Sequence, residues 1–126
     1  MSFSTAVNCM DGRVQKPVFQ FMKYRFATKY VDMITEPGPA RILAEQMAIG
    51  QVESILARID ISVEKHDSKG IAVVSHFDCA GNPADEDQKH EHLAAAVEFL
   101  QERYPGLDVI ALYVDHRWEV KEIKTN

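Results

Sequence analysis

Ile71-Ala72-Val73-Val74 most narrows what this chain can fold into. The run is apolar on both faces and β-branched at three of its four positions, so a strand here has no side to give to water. A strand covered from both sides belongs inside a parallel sheet with helices packed above and below. It leads directly into Ser75-His76, which places a histidine at its carboxyl end.

The flanking sequence supplies the matching elements. Ser4 to Cys9 has an apolar Ala6-Val7 centre and stops at the turn dipeptide Asp11-Gly12. Pro17 suits a first helical turn, and Val18, Phe21, Met22 and Phe26 recur at helical spacing, predicting a helix over 16–27. Tyr30 to Thr35 reads as a second strand, ended by Glu36-Pro37-Gly38-Pro39. From Ala40 to about Lys65, Leu43, Met47, Val52, Leu56, Ile59 and Val63 keep one stripe, predicting a single long helix. Asp85, Glu86 and Asp87 favour a helix start, Leu93, Val97, Leu100 and Tyr104 mark its buried face, and Pro105-Gly106 ends it. Val109 to Val114 is a fourth strand, and alternation around Trp118 to Lys121 suggests a small edge strand or hairpin. Strands alternating with helices predict a three-layer α/β fold with a mostly parallel four-stranded sheet and right-handed crossovers.

Composition narrows the partners. The 126 residues suit one domain, residues 1–126, and 46% apolar with 26% charged residues suit a globular one. Lys plus Arg is 14 against 19 Asp plus Glu, a net charge of -5, which argues against nucleic acid or an anionic membrane as partner. No apolar stretch reaches the roughly 18 residues of a bilayer span. Met1-Ser2-Phe3-Ser4-Thr5 lacks the order of a signal peptide, so a cytoplasmic protein is expected, with both cysteines as thiols.

Those cysteines sit in two polar clusters, Cys9-Met10-Asp11-Gly12-Arg13 and His76-Phe77-Asp78-Cys79. Ligands in open parallel sheets bind beyond the carboxyl ends of the strands, where strand order reverses. If the first and third strands are neighbours, both clusters reach that rim. Two thiolates and an imidazole are a donor set for zinc with one position open, so Cys9, His76 and Cys79 are the candidate ligands of one zinc ion per chain. Asp11 is spaced to reach the fourth position or a water there, and Arg13 to hold Asp11 in a bidentate pair.

The two clusters together resemble the paired zinc motifs of beta-class carbonic anhydrases, Cys-x-Asp-Ser-Arg and His-x-x-Cys-Gly, and the order of elements matches over almost the whole chain. The resemblance implies a beta-carbonic-anhydrase-like fold, Cys9, His76 and Cys79 on zinc, and Asp11 and Arg13 as the catalytic pair. It implies reversible hydration of carbon dioxide to bicarbonate by a zinc-bound hydroxide, and a homodimer or higher homo-oligomer with the pocket between subunits. In some members of that family the aspartate itself closes the metal shell. This chain departs from the pattern at Gly12 for serine, at Ala80 for glycine, and at Met33-Ile34-Thr35-Glu36-Pro37-Gly38, which replaces an Arg-Asn-Ala-Gly segment and keeps only its glycine. Two alternatives therefore stay open: a zinc hydrolase acting on carbonyl sulfide or carbon disulfide, and a non-catalytic zinc-binding domain with Asp11 on the metal.

The remaining polar residues carry blander readings. Asp11-Arg13 alone would be an ordinary turn salt bridge, and His76 alone a satisfied half-buried histidine. Lys89-His90-Glu91-His92 reads as solvated, because residues two apart on a helix do not share a face. His66 and His116 sit in polar, loop-like contexts. Asp78 is expected to cap the following turn, and Trp118 to pack. A phosphatase-type cysteine loop is disfavoured, since three residues between Cys9 and Arg13 cannot wrap a phosphate and Asp11 would repel it.

Overall fold

The computed structural model describes residues 2–125. Strand β1 (Phe3–Cys9) passes through a 3-10 turn, Gly12–Val14, into α1 (Gln15–Phe26), and β2 (Tyr30–Glu36) leads to α2 (Pro39–Glu45) and α3 (Ile49–His66). Next come β3 (Gly70–His76), α4 (Glu86–Arg103), β4 (Asp108–Val114) and β5 (Val120–Ile123). The strands form one sheet in the order β2-β1-β3-β4-β5, parallel except for β5, which runs antiparallel to β4. The chain steps from β1 to β2 on one side and to β3 on the other, so the order reverses between β1 and β3.

Strand alternation sorts the core into two layers. Val7, Ile71, Val73, Val109 and Ala111 face Leu43, Ile55, Ile59, Leu93 and Leu100 of α2, α3 and α4. Their neighbours Ala6, Ala72, Val74, Ile110 and Leu112 face Val18 and Met22 of α1. All seven residues of β3 are buried, as its two-faced apolar run requires. Cys9 and Cys79 lie at the margin of the α1 layer.

The edge strand suggested beyond Val114 is present at Val120–Ile123 and makes the sheet five-stranded rather than four-stranded, because Asp115 closes a tight turn before it. The Asp115 side chain accepts the N–H groups of Arg117 and Glu119, and its carbonyl accepts that of Trp118. Val120 then pairs with Val114. The predicted long helix is two helices. Gln46 adopts a left-handed conformation (φ 55°) and returns its N–H to the Ile42 carbonyl, ending α2. Met47, expected on the stripe, is 82% exposed. Leu43 and Val52 lie nine residues apart, about half a turn out of phase on one continuous helix, so the apolar stripe slips across Met47 where the chain breaks.

Candidate metal centre

The switch point brings the two clusters together. Cys9 is the last residue of β1 and His76 the last of β3, and the register pairing Val7 with Val73 sends both strand ends to one rim. After β1 the chain is tied down locally. Asn8, fully buried, accepts the Cys9 N–H at 2.9 Å and donates to the Val14 carbonyl at 3.2 Å. Gln15 donates to the Cys9 and Asp11 carbonyls at 2.7 and 2.8 Å. After β3, Asp78 in a left-handed conformation (φ 59°) reverses the chain and returns Cys79 toward Cys9.

One donor atom from each of Cys9, His76 and Cys79 lies within 4.8 Å of the other two, and all three residues are buried. The sulfurs are 3.8 Å apart. Two thiolates at about 2.3 Å from a tetrahedral zinc lie about 3.8 Å from each other, so this spacing suits the ion. The His76 ring accommodates it too. Its Nδ1 faces the Phe77 carbonyl at 2.7 Å, while the buried Nε2 has no hydrogen-bond partner among the described residues. The carbonyl holds the proton on Nδ1 and leaves the Nε2 lone pair free for a metal. The donor set and its geometry therefore fit zinc.

The electrostatics run the same way. The Cys9 thiol is drawn down to about 4 by the hydrogen bond from Cys79, against burial, with help from His76 and the backbone amides of Gly38 and Asp11. Cys79 is pushed up by that same bond and by burial. The pair thus holds one shared proton where a divalent cation would favour none. Burial lowers His76, but the adjacent Cys9 sulfur, the Phe77 carbonyl and the negative charges of Cys9 and Asp11 raise it more.

Asp11 and Arg13 stand beside the three donors. Arg13 Nε and Nη2 donate to the two Asp11 carboxylate oxygens at 3.0 and 2.7 Å, and the Arg13 N–H adds a third bond at 2.9 Å. These hydrogen bonds hold the Asp11 carboxyl down at about 2. Asp11 Oδ2 lies 3.9 Å from His76 Nε2.

Several participants carried no sequence signal. Asp78 does not cap the following turn as its main contact: its carboxylate accepts from Arg13 Nη1 and its carbonyl from Nη2, both at 3.2 Å. Trp118 lays its ring under the same guanidinium, 4.4 Å from its centroid. Lys89, expected in solvent, is buried and donates to the His76 carbonyl at 2.9 Å. His92 is also buried, against the Asn82 side chain at 3.1 Å, and His90 packs edge-on to Tyr113. His66 lies at the other end of the fold, next to Asp32 at 2.7 Å, and His116 packs edge-on to Phe77.

The divergent segment 33–38 closes one side. The Glu36 carboxylate is paired with Arg58, and its carbonyl accepts the Met10 N–H at 3.1 Å. Gly38, left-handed at φ 65°, presents its N–H to the Cys9 sulfur.

Among solved structures, the chain is similar to a tetrameric beta-carbonic anhydrase of Sordaria macrospora at 13% identity and a TM-score of 0.65, covering 97% of this chain and 80% of that one. It is similar to a carbonic anhydrase of Glaciozyma antarctica at 18% and 0.62, covering 96% and 81%. It is also similar to a beta-carbonic anhydrase of Aspergillus fumigatus at 16% and 0.57, covering 99% and 76%. At these identities the likeness establishes the fold. No curated protein matches the sequence significantly. A family model described as "Putative carbonic anhydrase" matches residues 1–124. With that match spanning nearly its whole length, the chain belongs to this carbonic anhydrase family.

Proposed function

We propose that the chain, acting as one zinc domain over residues 1–126, is a carbonic anhydrase-like lyase interconverting carbon dioxide and bicarbonate. Cys9, His76 and Cys79 would hold one zinc ion. The observation that carries this reading is the buried, partnerless Nε2 of His76 facing two sulfurs 3.8 Å apart. Bound there, zinc supplies a Lewis acid that lowers the pKa of a water from about 15.7 to about 7.

The chain's own residues supply the rest. Asp11, ionised throughout the working range, accepts a hydrogen bond from the attacking water and aims its lone pair at the carbon of carbon dioxide. Arg13 keeps Asp11 charged and fixes its plane through the bidentate pair. The Phe77 carbonyl fixes the His76 tautomer, and the Gly38 amide steadies the Cys9 sulfur. Water adds to carbon dioxide, giving bicarbonate, and one proton leaves to solvent.

Self-association is part of the proposal. Strand β2 is a sheet edge, partly exposed along most of its length, and the Sordaria relative is tetrameric. A homodimer would cover that edge. A cytoplasmic setting accords with two buried free thiols, and among the described residues no helix is long and apolar enough to cross a membrane.

A second reading rests on segment 33–38. With the Glu36 carboxylate engaged by Arg58, the pocket wall differs from the family's Arg-Asn-Ala-Gly, which favours a related substrate such as carbonyl sulfide or carbon disulfide. Metal analysis followed by stopped-flow carbon dioxide hydration on the wild type and Asp11→Ala separates these readings. One zinc per chain and a rate cut by about 100-fold in Asp11→Ala are expected. Bound zinc with no rate above buffer at about pH 8.5 moves the assignment to the sulfur-containing substrates or to a site closed by Asp11. Absence of metal ends all of them.

A further inference from the structure

Arg13 is held from three directions, and only one of them is Asp11. Its Nη1 and Nη2 donate to the carboxylate and carbonyl of Asp78, and its face rests on the Trp118 ring. The Arg13 side chain is 46% exposed, and an exposed arginine–carboxylate pair is weak by itself. Asp11 Oδ2 already lies 3.9 Å from His76 Nε2, so a small rotation would bring it among the three metal donors. A bare Asp11–Arg13 pair competes poorly with a divalent cation for that carboxylate.

Both supporting residues are left-handed, which an aspartate tolerates and a tryptophan ordinarily avoids. Asp78 has φ 59° and Trp118 φ 62°, in the left-handed region. A bulky residue there is rare and persists only where the surroundings over-determine it. At Trp118 the Asp115 turn imposes it, and glycine would be the unstrained choice. The indole instead reaches back to within 6.4 Å of the His76 ring and lies against Arg13. A strained Trp118 and a left-handed Asp78, remote in sequence, converge on one guanidinium.

We infer that Asp78 and Trp118 are positioning residues that clamp Arg13 and, through it, hold Asp11 off the fourth metal position. The inference deepens the zinc reading above and rests on it for the identity of the site. The clamp makes the open shell the resting state. Without it, Asp11 turns onto the metal and external ligands must compete with it.

The test uses the full chain loaded with cobalt(II), titrated with sodium azide and followed by visible absorption. The variants are Trp118→Leu, Asp78→Asn, their combination, and Trp118→Phe, which keeps an aromatic face. Wild type should bind azide. Each disrupting variant should weaken it by about threefold and the pair by about tenfold, while Trp118→Phe stays within about twofold. In an Asp11→Ala background the same changes should have no effect, a readout that a merely structural role would not produce. Unchanged azide affinity in the double variant overturns the clamp, as does a loss that persists without Asp11. A wild-type cobalt protein blind to azide overturns it too, because Asp11 would already fill the shell. If one single variant fails to retain cobalt, the other decides. Carbon dioxide turnover plays no part in these titrations, so failure of the lyase assignment and failure of the clamp are separate results.

Discussion

Gly38 and Gly81 meet backbone to backbone: a β-carbon on Gly38 would fall 2.8 Å from the Gly81 carbonyl carbon. One on Gly81 would fall 2.5 Å from the Pro37 carbonyl carbon. The loop that presents an amide to Cys9 and the loop that carries Cys79 are thereby pressed together. Gly81→Ala should force them apart, because the clash is with main chain that has no rotamer to yield. We expect a loss of about 2 kcal/mol or more together with weakened metal retention, read by thermal melting and zinc stoichiometry of the purified variant.

Lys89 offers a second check from behind the site. Its buried ammonium donates to the carbonyl of His76, so Lys89→Met keeps the stem's volume and deletes the donor. Leaving a buried carbonyl unpaired costs about 1–3 kcal/mol. The melting temperature should fall by roughly 4 °C per kcal/mol lost. A melting temperature equal to wild type would show that the ammonium does not support the His76 backbone.

Removal of the metal has its own signature. If Cys9, His76 and Cys79 hold zinc, a protein with free zinc at about 100 times its dissociation constant gains about 2.7 kcal/mol that chelation withdraws. Melting with and without a strong chelator should differ for wild type and coincide for Cys79→Ser. A chelator-insensitive wild type, at matched zinc and protein concentrations, would contradict the ligand set.

Alkaline pH probes the far end of α4. Burial, and then the Asp60 hydrogen bond at 2.5 Å, raise the Tyr104 hydroxyl from 10.0 to about 12. The folded state therefore binds this proton more tightly than the unfolded chain does. Its contribution is intact below pH 10 and fades as pH rises toward 12, by up to about 2–3 kcal/mol. Denaturant midpoints measured across that window should fall less steeply in Tyr104→Phe. The residual slope is expected because burial raises Tyr113 to about 12 as well.

Much of the architecture was readable from local pattern. The two-faced apolar run at 71–74 could exist only as an inner parallel strand, and β3 is buried at every position. The helix starting near Asp85 was announced by its acidic first turn, and the Asp85 carboxylate does accept the Gln88 N–H at 2.8 Å. The break between α2 and α3 is hidden from spacings taken one at a time, because the steps Leu43 to Met47 and Met47 to Val52 each pass for about one helical turn and Gln46 is no obvious stop signal. The placement of Lys89 and His92 was misread because helical spacing says which residues share a face, and not how far a neighbouring loop covers that face.

Local pattern sets the chemistry available: two cysteines and a histidine at or near the ends of predicted strands, with a carboxylate and a guanidinium two residues apart. Residue type and strand polarity are local properties, so they survive without coordinates. The assembled fold is what makes β1 and β3 neighbours, sets the sulfurs 3.8 Å apart, and brings Asp78 and Trp118 onto Arg13. Those outcomes depend on strand order and on turns closed by Asp115 and the left-handed Asp78. They arise from contacts between distant segments, which no periodicity within a single segment encodes.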